Sequence, residues 1–109
     1  MRGVLIGVAI TALGVAQVPF ARTEPRSDGR ALFDAKCGMC HGARGMGTHL
    51  LARRMDGAIA PLEKRDDLTP EDVIVAARSG IGNMPRITRG DVSDAELKQI
   101  ADYLAKLRP

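Results

Sequence analysis

Five consecutive residues carry the chemistry of this sequence: Cys37-Gly38-Met39-Cys40-His41. Two thiols three positions apart, followed at once by an imidazole, form the Cys-x-x-Cys-His pattern of c-type haem attachment. On one helical turn each thiol can add across a haem vinyl group to give a thioether. The adjacent histidine then lies beneath the iron and offers a ring nitrogen as axial ligand. Other uses of paired cysteines fit less well. A thioredoxin-like pair should follow a strand, but here a helical pattern precedes it. A structural zinc ion needs four ligands; the set available is Cys37, Cys40, His41 and His49, in which Cys40 and His41 are adjacent. A disulfide within so short a loop would staple no distant parts of the chain.

The opposite face of a haem iron needs a second ligand. The methionines beyond the start are Met39, Met46, Met55 and Met84. Met39 lies inside the attachment loop and Met46 lies too soon after His41 to reach the other face readily. Met84 sits in Gly82-Asn83-Met84-Pro85, where the proline's fixed geometry can hold a thioether in place. Met84 is therefore the expected ligand, with Met55 in reserve. His49 reads as a solvated loop residue. Arg44, Arg53, Arg54, Arg86 and Arg89 are candidates for pairing with haem propionates or steering a negative partner. The glycines around Gly45 and Gly47 neither follow a strand nor open a long helix, so no phosphate cradle is expected.

The elements that must position these groups read as helices. Ser27 or Asp28 can cap a helix running to Cys37, with Leu32, Phe33 and Cys37 on one face. Gly42 to about Gly57 reads as loop with at most a short turn. Ala58 to Asp66 reads as a connector with one helical turn near Leu62. Thr69-Pro70-Glu71-Asp72 combines a cap, proline at the first helical position and acids in the first turn. That helix should stop at Gly80, and a second loop runs from Ile81 to Gly90. Ser93-Asp94-Ala95-Glu96 is a capping box. It opens a last helix with Leu97, Ile100, Ala101, Leu104 and Leu107 as one apolar stripe. No alternating strand pattern and no repeat is present.

The chain has 109 residues, which allows one small domain. Residues 1–21 read as an export signal: Met1 and Arg2 give a positive start, and Gly3 to Ala16 is uncharged. The uncharged run extends to Phe20 through Gln17 and Pro19, so an anchor over residues 3–20 is the weaker alternative. Residues 22–27 form a polar linker, leaving 28–109 as the folding unit. A domain of that size is marginal unless something fills its core. It has no Trp and few other aromatic residues, and a large cofactor would supply the missing apolar volume. Without the leader its charge is close to neutral, and no basic block or aromatic platform suggests nucleic acid.

Taken together, the chain resembles the class I (mitochondrial-type) monohaem cytochrome c family from Ser27 to Leu107. That family packs its first helix on its last through a glycine and an aromatic residue, placed eight and four positions before the first cysteine. Those positions are Gly29 and Phe33 here, and the matching partners on the last helix are Ile100 and Tyr103. The resemblance implies an all-α domain of three main helices, with long loops wrapped around one covalent haem c. It also implies electron transfer without catalysis, through Cys37, Cys40, His41 and Met84, with iron held by His41 and Met84. One feature departs from the family. No proline follows the histidine at the usual place to accept the bond from the other ring nitrogen, which leaves that acceptor unassigned, with the Thr48 carbonyl as one candidate.

The expected setting is the periplasm, with a dehydrogenase as donor and an oxidase or another cytochrome as acceptor. Glu71-Asp72-Val73-Ile74 to Met84-Pro85 is also loosely similar to the cytochrome subunits of p-cresol methylhydroxylase-type flavoenzymes. A haem enzyme or gas sensor with a displaceable sixth ligand is the alternative from another class.

Overall fold

The computed structural model describes Gly14 and residues 28–106 of the chain. The expected leader, its cleavage point, the linker and Leu107 lie outside the described residues. No helix among those described is long and apolar enough to cross a membrane.

Helix α1 spans Gly29–Lys36 and starts where Asp28 Oδ1 accepts from the Arg30 amide at 3.2 Å. The helix breaks at Cys37 (φ −122°, ψ −25°), whose amide still bonds to the Phe33 carbonyl. A single turn, α2 (Gly38–His41), follows at once. The helix expected to run into Cys37 does end there, and the separate turn α2 carries the rest of the motif.

The expected loop after the histidine contains a further helix, α3, at Met46–Leu51. No side chain caps its first turn. It is fixed instead by tertiary contact: buried Thr48 donates its hydroxyl to the Gly42 carbonyl at 2.7 Å. A single 3-10 turn at Leu62–Lys64 marks the next connector, as expected.

Helix α4 is Pro70–Ser79. Its capping box is complete: the Asp72 amide donates to Thr69 Oγ1 at 3.1 Å and the Thr69 amide to Asp72 Oδ2 at 3.0 Å. It ends at Gly80, where φ is +72° and a β-carbon would lie 2.7 Å from the Met84 carbonyl oxygen. That position requires glycine on both counts. Helix α5 is Asp94–Lys106. The Ser93–Glu96 pair opens it by the same reciprocal bonds, at 2.8 and 3.2 Å.

The core is one cluster of Phe33, Leu68, Ala77, Val92, Leu97, Ile100 and Leu104. Leu32, Cys37, Val73, Ile74 and Tyr103 pack against it. It is centred on α5, which lies against both α1 and α4. At the α1–α5 crossing a β-carbon on Gly29 would stand 2.5 Å from the Gln99 carbonyl oxygen and 2.8 Å from Tyr103 Cβ. The Phe33 and Tyr103 rings meet there with centroids 6.2 Å apart. The four residues taken from the resemblance therefore do meet at this crossing. No strand occurs among the described residues; Ile81 and Met84 form one isolated antiparallel bridge.

Candidate functional site

The attachment motif occupies the break between α1 and α2. The carbonyl of Cys37 accepts from the amides of Cys40 (3.1 Å) and His41 (2.9 Å), so one turn of backbone carries both thiols and the imidazole. Both cysteines are free; Cys37 is half-buried and Cys40 exposed. Burial, and then the neighbouring Cys40, push the Cys37 thiol above its ordinary range. Burial lowers the pKa of His41, which favours the neutral imidazole that a metal needs. Among the described residues, Cys37, Cys40, His41 and His49 do not gather into one cluster.

Two glycines hold this turn in place. A β-carbon on Gly45 would fall 2.3 Å from the Cys40 carbonyl oxygen. One on Gly47 would fall 2.8 Å from that oxygen and 3.3 Å from His41 Cε1. Bare backbone at the start of α3 therefore lies directly on Cys40 and beside the imidazole. Their proximity to the motif in sequence was the available signal for this role.

The partner expected for the imidazole is not found. His41 Nδ1 is buried and has no hydrogen-bond partner. Thr48, the expected acceptor, has its carbonyl engaged by the Ala52 amide at 3.0 Å and its hydroxyl by the Gly42 carbonyl. The Thr48 carbonyl closes the last backbone bond of α3 instead.

Met84 closes a tight reversal. The Ile81 amide donates to the Met84 carbonyl at 3.1 Å and the Met84 amide to the Ile81 carbonyl at 2.9 Å. Gly82 takes φ +55° between them. Met84 and Met55 are half-buried, whereas Met39 and Met46 are 89% and 70% exposed. His49, Arg44, Arg53 and Arg54 are exposed. Arg86 Nε donates to the Arg78 carbonyl and Arg89 pairs with Asp94 at 2.8 Å. Arg78, which the sequence reading did not single out, bonds to the Ile87 and Val92 carbonyls and to Asp94.

The donor set fits a covalent haem: two free thiols and a neutral imidazole on one turn, with an apolar thioether in a separate loop. A family model described as "Cytochrome C oxidase, cbb3-type, subunit III" matches residues 24–104. The chain belongs to this family. It is a class I-like monohaem cytochrome c domain, with covalently bound haem c as its cofactor and haem-based electron transfer as its activity. Redox proteins are its partners in general terms. No curated protein and no solved structure matches the chain.

Proposed function

We propose that this cytochrome is a periplasmic one-electron carrier in which Cys37 and Cys40 tether the haem and His41 and Met84 are the axial ligands. The observation that carries the reading is the α2 turn. It presents both thiols and the neutral imidazole together, with Nδ1 of that ring enclosed. When bound, haem c supplies reversible one-electron chemistry at its iron. This chain's residues hold the group, exclude water from one side and choose the ligands.

A thioether opposite an imidazole raises the reduction potential relative to harder ligand pairs. Occupation of both axial positions leaves none for a substrate, which supports a carrier and not an enzyme. Rigid helices keep the site nearly unchanged between redox states. Export is supported by the pattern of residues 1–21 and by the need for thiols and haem to meet outside the cytoplasm. The family's description names an oxidase subunit, which supports a terminal oxidase on the acceptor side, with a dehydrogenase as donor. The likeness to flavoenzyme cytochrome subunits rests on Glu71 to Pro85 alone.

The test is the optical spectrum of the ferric holoprotein. A sulfur-to-iron charge-transfer band in the far red is expected, and Met84→Ala should abolish it. Survival of the band in that variant would move the ligand to Met55. Its absence from the unmodified protein, with a high-spin spectrum, would favour an enzyme or sensor.

A further inference from the structure

Met84 sits in a segment with few anchors. Between Gly80 and Ile87 the backbone is tied mainly to itself, through the Ile81–Met84 pair. The place of Met84 relative to the helices is therefore set at the two ends of the segment. One end is Gly80, whose amide bonds to the Ala76 carbonyl in the last turn of α4. The other is Ile87, whose amide donates to the Ala77 carbonyl at 2.8 Å.

Arg78 is concentrated on this second end. Its side chain is 18% exposed, low for an arginine at a helix terminus. Nη1 donates to the Ile87 carbonyl at 3.0 Å. Nη2 donates to the Val92 carbonyl at 3.0 Å and to Asp94 Oδ1 at 2.8 Å. Its own carbonyl accepts from Arg86 Nε at 3.2 Å. One side chain thus joins the end of α4, the far end of the Met84 loop and the start of α5. The ion pair with Asp94 is open to solvent on the Asp94 side and contributes little by itself. The two backbone carbonyls matter more, because a planar fork can bond both at once and an ammonium cannot reproduce that geometry.

We propose that Arg78 is a positioning residue for the axial methionine: it latches the Ile87 end of the loop and so limits how often Met84 leaves the iron. This rests on the reading of Met84 as ligand. Hydrogen bonds from a charged donor to partly buried acceptors are strong enough for their loss to change a local opening equilibrium about tenfold. An external ligand can reach the ferric iron only when Met84 is away, so its binding rate reports that opening.

The experiment measures cyanide binding to the ferric holoprotein by stopped flow. The variants are Arg78→Lys, Arg78→Met, Lys98→Ala and Met84→Ala. Both Arg78 variants are expected to bind about tenfold faster than the unmodified protein. Lys98→Ala, which removes only an exposed ion pair within α5, should leave the rate unchanged. Met84→Ala gives the upper limit. A normal rate in Arg78→Lys beside a fast rate in Met84→Ala would overturn the latch and leave the ligation reading standing. A far-red band that survives in Met84→Ala would overturn the ligation reading itself, and the latch with it. Should Arg78→Met fail to fold, amide exchange in Arg78→Lys decides: Ile87 should lose protection while Leu104 keeps it, and equal protection at Ile87 sinks the proposal.

Discussion

The α1–α5 crossing and the Met84 loop are held by different forces. At the crossing, Phe33, Ile100 and Leu104 are each about 1% exposed and the two backbones touch at Gly29. Across Ile81 to Gly90 most side chains are exposed, and hydrogen bonds from Arg78, Arg86 and Thr88 do the fastening. Apolar burial is lost only when the whole domain opens, whereas a few polar bonds can open locally. The comparison assigns global stability to the crossing and, on the proposed ligation by Met84, the ligand environment to the loop. A carrier benefits from that separation, because ligand exchange and potential can be tuned without unfolding the domain.

The largest effect expected on the stability side is at Phe33. Phe33→Ala removes a fully buried ring and should cost about 3–5 kcal/mol in denaturant unfolding of the holoprotein. A loss below about 1 kcal/mol would break the division of labour. Gly29→Ala should cost less, about 1–3 kcal/mol, because one methyl must push α1 away from Gln99 and Tyr103. The rate of cyanide binding should stay close to normal in Gly29→Ala, in contrast to the Arg78 variants, and equal acceleration in both would erase the distinction.

The smallest effect is a titration. Burial, then the bond to the Glu63 carboxylate, push the Tyr103 phenol up to about 12 from an ordinary 10.0. The neutral phenol is the form the fold favours. This contribution to stability is therefore complete below pH 10 and lost as pH rises through about 12. Phenolate absorbance during alkaline titration checks it. Glu63→Gln should bring the transition down, and an unchanged transition would leave burial as the whole cause.

Local signals made most of the framework legible. The Thr69–Asp72 and Ser93–Glu96 boxes, Gly80 and the stripe of α5 each act within a few residues, and each was readable in the sequence. The offsets of Gly29, Phe33, Ile100 and Tyr103 carried the crossing because the resemblance supplied their pairing. What escaped lacks a local cause. Helix α3 has no capping side chain and is held by Thr48 and by glycines lying on Cys40. The reach of Arg78 to Val92 and of Tyr103 to Glu63 joins polar groups far apart in sequence, and no period records such a bond.

The close contact of Gly29 with Gln99 also bears on the order in which this protein is made. On the proposed export, an unfolded chain that crosses the membrane amino end first presents residues 37–41 outside the cytoplasm before position 99 arrives, so the helix crossing cannot close while the early part stands alone. During that interval the two thiols are accessible for haem attachment. Once α5 arrives, the same contact seals the product.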